Sequence, residues 1–326
     1  MNNKFADIKH MISEAHTILI TSHVDPDGDS LGSLSALYRY LTDLGKEVVA
    51  LNDGEIPKKY EFLPELDKII NVEKYHDNQS FDLNIILECP TRDRCGRVEN
   101  YLSSKAPIIN IDHHPDNVGY GEIDLIDETA SAVGEILTDY FIETGYKISE
   151  DTATVLYAAI LTDTGRFRFN STTSKTMLLA GKLIDFGANP RRINDRIYYS
   201  IPANVLKLTG KLLSELKTFN DGQICMISLE KYMLNGCKYN PSDTEGMAEF
   251  VMYDQNVKVG GFFRELDTKK TKVSLRSNSP YDISRIAHKY GGGGHLHAAG
   301  FTIELPIVKA REQLLTELQE LINAAV

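Results

Sequence analysis

The sequence predicts an α/β protein in two domains: a larger N-terminal domain with a mostly parallel sheet flanked by helices, and a smaller C-terminal α/β domain. Three observations predict this. The chain has 326 residues, more than a single hydrophobic core usually serves. Its first part alternates short apolar runs with amphipathic stretches, the pattern of a parallel sheet covered by helices. Its last part turns to strand-like runs, a glycine-rich segment and a final amphipathic stretch.

The elements follow in order. Thr17–Ile20, Val48–Leu51, Asn84–Leu87 and Pro107–Ile111 are apolar runs of strand length and read as buried parallel strands. Leu31–Leu44 has helical spacing and is closed by Gly45; Ser131–Thr144 has it too and is closed by Gly145, both with the glycine just past the end. Asp151–Leu161 follows Ser149, a good N-cap with acids beside it. Gly187–Ile201 is charged and contains Pro190, with Pro202 just beyond; it marks the connection between domains. Strand-like runs follow at Gln223–Leu229, Lys258–Glu265, Thr271–Arg276 and Ala298–Glu304, with helices near Asp282–Tyr290 and from Ile307. The boundaries are set at 1–188 for the first domain, 189–205 for the linker and 206–326 for the second domain.

Charge and composition narrow the function. A net charge of −11 argues against duplex DNA as a partner, which needs a basic face. Within Asn256–Gly300, however, eight Lys or Arg stand against three acids, a local charge of +5. A basic patch on an acidic body suits an anion-binding half beside a metal-binding half, although a solvated basic face has the same composition. No apolar run is long enough for a membrane span, and the N-terminus lacks the pattern of a secretory leader. Cys89, Cys95, Cys225 and Cys237 show no paired spacing. Reduced thiols and a cytoplasmic location are expected.

Four clusters of metal-binding residue types fall at the ends of these elements. Ser22–Ser30 (SHVDPDGDS) follows the strand TILI and precedes a helix, where an open α/β sheet binds its ligands. His23, Asp27 and Asp29 can fold over one point there, and carboxylates with an imidazole suit manganese, magnesium or iron. The same stretch also reads as a turn and helix cap. Glu88 directly follows NIIL. Asp112-His113-His114 follows PIINI and offers a ligand, a phosphate contact and a partner for either. Asp163 ends the helix containing Val155–Leu161, where its charge opposes the helix dipole and a nearby cation would offset it. So many carboxylates gathered at one sheet edge repel unless cations join them. Two divalent ions ~3.5–4 Å apart form the clamp used for in-line attack on phosphate. The run Gly291–Gly300 (GGGGHLHAAG) lies in the basic stretch. Four glycines allow either a backbone anion nest or a tight turn before a strand, and Arg276, Ser277 and His295 are near enough in sequence to add side-chain contacts.

At these residues the chain resembles the DHH/DHHA1 phosphoesterase family, named for the Asp-His-His seen at Asp112–His114. HVDPDGDSLGS (23–33) is similar to the family's first motif, ILTDTGRFRF (160–169) to its fourth, and GGGGHLHAAG (291–300) to the signature of its second domain. The length and short linker are most similar to the branch that hydrolyses short oligoribonucleotides (nanoRNA) and 3′-phosphoadenosine 5′-phosphate (pAp). The resemblance implies two divalent ions, manganese foremost, with magnesium or cobalt as alternatives. It implies one ion on His23 and Asp27 and the other on Asp29, His113 and Asp163. Glu88 stands where the family has a bridging aspartate, one methylene longer than the pattern. The resemblance further implies a catalytic role toward the scissile phosphate for His114, with Asp112. It implies that Arg276, Ser277, Gly292, Gly293, Gly294 and His295 grip the substrate.

The function expected is hydrolysis of short single-stranded RNA or pAp by attack of a metal-activated water, in a monomer or homodimer that needs no membrane. Two rivals stand beside it: a phosphodiesterase for cyclic or linear dinucleotides (pApA), and a nucleotide-binding protein whose catalysis is weakened by Glu88.

Overall fold

Helix or strand is decided here by the length and spacing of the apolar runs. The computed structural model describes residues 2–77, 79–234 and 241–324; Cys237 lies outside them. Contacts divide the chain into two units, Met1–Ser200 and Ile201–Val326.

In the first unit, α1 (Asn2–Glu14) buries Phe5, Ile8 and Ile12, spaced three and four apart, the period that puts them on one face. Then come β1 (Thr17–Thr21), α2 (Gly28–Asp43), β2 (Glu47–Asn52), β3 (Ile69–Asn71), β4 (Leu83–Leu87), β5 (Ile108–Asp112), β6 (Ile123–Ile126), α3 (Val133–Glu143), α4 (Glu150–Asp163), α5 (Ser174–Asp185) and α6 (Pro190–Tyr198). Every residue of β4 and β5 is buried, as both faces of a parallel sheet require. All six strands are parallel, in the order β3-β2-β1-β4-β5-β6. Successive strands run one way from β1 and the other way from β4, so the topological switch lies between these two. A crevice opens there beyond the strands' carboxyl ends.

The four strands expected from apolar runs are all present. The two added by the structure, β3 (IIN) and β6 (IDLI), are the sheet's edges and are only partly buried; their shortness hid them. The stretch 189–205 holds α6, whose Ile193 and Ile197 join the first unit's core, and, from Ala203, the start of the next helix.

Small residues set the spacing of three helices. A Cβ on Gly32 of α2 would lie 2.5 Å from the Val155 carbonyl of α4, and one on Gly134 of α3 would lie 2.6 Å from Ala159 Cβ of α4. One on Gly28 would lie 2.4 Å from the Thr162 hydroxyl. The start of α2 is thereby pressed against the end of α4.

The second unit contains α7 (Ala203–Ser214), β7 (Lys217–Phe219), β8 (Ile224–Leu229), β9 (Val259–Asp267), β10 (Lys270–Ser277), α8 (Ser284–Lys289), β11 (Gly293–His295), β12 (Ala298–Ile303) and α9 (Ile307–Ala324). Its sheet runs β11-β12-β10-β9-β8-β7, antiparallel except for β8–β9. In β10 alternate residues Thr271, Val273, Leu275 and Ser277 are buried, the period of a strand. One face packs on Ile307, Ala310, Leu314, Leu318 and Ile322 of α9. The other packs on Val205, Leu208 and Leu212 of α7.

Gly32→Ala tests the close helix contact. Alanine improves helix propensity by ~1 kcal/mol, but overpacking a core costs about 1–3 kcal/mol. A net loss of stability is expected in urea denaturation.

Candidate metal centre

The clusters named above come together at the switch point. His23 follows β1 and Glu88 follows β4, the two strands that flank the crevice. Glu88 has a left-handed backbone, φ 57°, an uncommon conformation for a non-glycine residue that gathers at functional sites. Its N–H is anchored on the Ile111 carbonyl at 3.0 Å. His113 follows β5, and Asp163 ends α4. Asp27 caps α2, accepting from Ser30 N at 3.0 Å, so the helix-cap reading of this stretch also holds.

Glu88 is the centre of the geometry. It is 2% exposed. His23 Nε2 lies 3.6 Å from its Oε2 and His113 Nε2 lies 3.6 Å from its Oε1. His23 Nε2 is also 3.8 Å from Asp27 Oδ2, and His113 Nε2 is 3.4 Å from Asp163 Oδ2. Two sets of three donor atoms each lie within 4.8 Å of one another: His23, Asp27 and Glu88; and Asp29, Glu88 and His113. Glu88 belongs to both.

The donor set fits a divalent cation. The separations of 3.4–3.8 Å are too long for hydrogen bonds, yet suit donors that share an ion ~2.1 Å from each. The buried Oε2 of Glu88 has no hydrogen-bond partner, an expensive state unless an ion serves it. The Nδ1 of His23 faces the Val24 carbonyl at 2.7 Å and that of His113 faces the Ala130 carbonyl at 3.2 Å. Each carbonyl holds a hydrogen on Nδ1 and so leaves the lone pair of a neutral ring on Nε2, the atom a metal ion would bind, facing the carboxylates.

The electrostatics make the same demand for positive charge. Burial opposes the imidazolium of His23, but Glu88 and Asp27 outweigh it and push the ring up to about 10. Burial likewise opposes the charged form of His113, and Glu88, Asp163 and Asp29 raise it well above the ordinary value. Burial would raise the Glu88 carboxyl, yet the two histidines hold it well below the carboxylate range. Burial pushes Asp163 up to about 7, with Glu88 and Asp27 adding to the rise and His113 opposing it.

Asp29 is fully buried, and its contacts were not foreseen. Its Oδ2 accepts from Val133 N at 2.6 Å, and its Oδ1 accepts from Gly134 N and the Ser33 hydroxyl, both at 2.9 Å. It therefore caps α3, whose own N-cap, Ala132, has no side-chain acceptor.

Asp112 stands outside both donor sets. Its Oδ1 accepts from the backbone N–H of His113 and His114 at 2.7 and 3.2 Å and lies 2.8 Å from His114 Nδ1. Its Oδ2 accepts from Asn117 Nδ2 at 2.6 Å. Burial alone would raise Asp112, but His114 and Asn117 hold it below its ordinary value. Sequence reasoning missed Asn117; its position three residues beyond His114, in a Pro-Asp-Asn turn, was the available signal.

In the second unit, Arg276 Nε donates to Glu249 Oε1 at 3.0 Å. The Ser277 hydroxyl donates to the Tyr281 carbonyl at 2.6 Å and lies 3.0 Å from His297 Nδ1. Gly293, Gly294 and His295 pair with β12. The N–H groups of Gly291 and Gly292 donate to the carbonyls of His288 and Ala287. They close α8 rather than standing open as an anion nest. A Cβ on Gly292 would come within 2.2 Å of the Gly300 carbonyl, so packing of the hairpin itself demands glycine here.

Carboxylates and imidazoles converging at the switch point of a parallel sheet, with a second α/β unit following, are the layout of a metal-dependent phosphoesterase. The family model described as DHH family, N-terminal domain, matches residues 17–160, and that of the DHHA1 domain matches residues 226–325. The bifunctional oligoribonuclease and PAP phosphatase NrnA of Thermus thermophilus is 32% identical over 94% of this chain and 91% of its own. The protein of that name from Bacillus subtilis is 30% identical over 90% of this chain and 91% of its own. An exopolyphosphatase-related protein from Bacteroides fragilis superposes with a TM-score of 0.92 at 27% identity, over 99% of this chain and 98% of its own. The chain belongs to the DHH/DHHA1 phosphoesterase family.

Asp163 provides a pH test of the metal-free protein. An acid raised to about 7 in the folded chain and near 3.8 when unfolded costs nothing below the lower value. Its penalty grows as pH rises between the two and is complete above about 7. Asp163→Asn removes the ionising group. In thermal melts with a chelator present, the variant is expected to outlast the natural chain at pH 8, with the gap closing toward pH 4.

Proposed function

We propose that this chain hydrolyses short oligoribonucleotides and pAp with two divalent ions, manganese foremost. The supporting observation is Glu88, one buried carboxylate common to two donor sets, with an oxygen that no hydrogen bond serves. In this reading His23, Asp27 and Glu88 would hold one ion, and Asp29, Glu88, His113 and Asp163 would hold the other. When bound, the ions activate water and offset the charge of the phosphoryl group.

The chain's own residues do the rest. Asp112 accepts the Nδ1 hydrogen of His114 and fixes the ring, as a carboxylate fixes a catalytic histidine elsewhere. His114 Nε2 then serves as the proton donor to the leaving oxygen. Arg276, Ser277 and His295 bind the nucleotide, on a hairpin that Gly292–Gly294 let pack closely; the basic stretch around them supports an anionic ligand. The substrates come from the names of the Thermus and Bacillus relatives, whose likeness to this chain spans both domains. No helix among the described residues is long and apolar enough to cross a membrane. The free, buried thiols of Cys89, Cys95 and Cys225 suit a reducing compartment such as the cytoplasm.

The test is turnover with Mn²⁺ on pAp, two- to five-residue RNA, cyclic di-AMP and pyrophosphate. Cleavage of pAp and short RNA is expected. Cleavage confined to the cyclic dinucleotide or pyrophosphate would sink the substrate assignment, and binding without turnover on all four would favour a nucleotide-binding protein. His114→Ala is expected to lower kcat by ~10²–10⁴-fold while leaving manganese binding intact. Glu88→Asp measures the longer side chain: a large gain in kcat would mean that the natural residue holds catalysis back.

A further inference from the structure

We propose that Glu135 is a positioning residue for the ion site formed by Asp29 and His113, an inference that rests on the two-ion reading above. Glu135 lies in the first turn of α3 and is 1% exposed. Its Oε2 accepts three hydrogen bonds: from Ser131 N at 3.1 Å, from the Ser131 hydroxyl at 2.7 Å and from the Thr176 hydroxyl of α5 at 2.8 Å. A buried carboxylate carries a desolvation penalty that an apolar residue at the same place would not. Something besides packing maintains it.

Helix capping alone does not account for it. An acid at this position can reach back to the N–H groups ahead of the helix, and Glu135 does so at Ser131. The first N–H groups within α3, however, those of Val133 and Gly134, are given to Asp29. Ala132 at the cap offers no side-chain acceptor that could compete for them. The acid of α3 thus fixes the segment before the helix, and the helix's own donors are kept for an acid of α2.

That segment holds both members of the pair. The Ala130 carbonyl, one residue before Ser131, accepts from His113 Nδ1 and keeps His113 Nε2 facing Glu88 and Asp163. Two residues after Ser131, Val133 N begins the grip on Asp29. Glu135 ties Ser131, in the middle of this stretch, to α5 through Thr176. His23 and Asp27 draw nothing from the segment: His23 is set by the Val24 carbonyl and Asp27 by Ser30. The effect of Glu135 should therefore fall on one ion and spare the other.

The experiment titrates Mn²⁺ alone into metal-stripped full-length protein by isothermal calorimetry, with circular dichroism and thermal melts as the check on folding. The natural chain is expected to bind two ions. In Glu135→Gln one binding event is expected to weaken by about 10–100-fold, the usual effect of losing a group that orients a ligand. The other event should stay within about twofold. Thr176→Val removes one donor to Glu135 and is expected to weaken the same event by a smaller factor; it decides the matter if Glu135→Gln does not fold. Two unchanged events in a folded variant overturn the proposal, as does equal weakening of both, which assigns Glu135 to general packing. If the natural chain binds fewer than two ions, the two-ion reading itself fails, and the variants are not needed to show it.

Discussion

Glu88 imposes the constraint around which the first unit is arranged. Its carboxylate is buried between two imidazoles and near three other acids, almost closed off from solvent. Charge of one sign cannot be gathered in such a place without a counter-charge. The protein meets this by raising the proton affinity of His23 and His113 and by leaving separations between donors that suit a cation better than a hydrogen bond. Much of the surrounding structure holds these groups at that spacing.

The means are ordinary. A parallel sheet delivers His23, Glu88 and His113 to one edge because all three follow strands that end there. Glycines at 28, 32 and 134 bring α2, α3 and α4 into close contact, which sets the carboxylates of Asp29 and Asp163 into the same corner. Backbone carbonyls of Val24 and Ala130 choose which nitrogen of each histidine faces inward. None of these devices is chemical in itself, yet each removes a freedom that the cluster could not tolerate.

What could be read in the sequence were features that announce themselves locally. Three apolar runs of strand length each led into a residue able to bind a metal, and a fourth such residue, Asp163, closed an apolar helix. The edge strands β3 and β6 were illegible because they are only three and four residues long, too short to show a strand pattern, and are only partly buried. The cap that Asp29 gives α3 joins residues more than one hundred positions apart, and no local pattern encodes such a pairing. The glycines of 291–294 were half legible: a close backbone approach was foreseen, but its partner is the neighbouring strand β12 and the end of α8. The support that Asn117 gives Asp112 could have been suspected from its nearness in the chain; that of Glu135 could not, since an acid in a helix's first turn is commonplace.

The borrowed cap on α3 also limits how this chain can change over generations. In many enzymes an active-site acid can drift once its reaction is no longer needed, because nothing else leans on it. Here the loss of Asp29 exposes the unsatisfied start of a core helix, and Ala132 has no polar side chain to take over. A descendant that abandoned the chemistry would have to mend the scaffold at the same moment, so the aspartate is expected to persist in relatives that have gone silent.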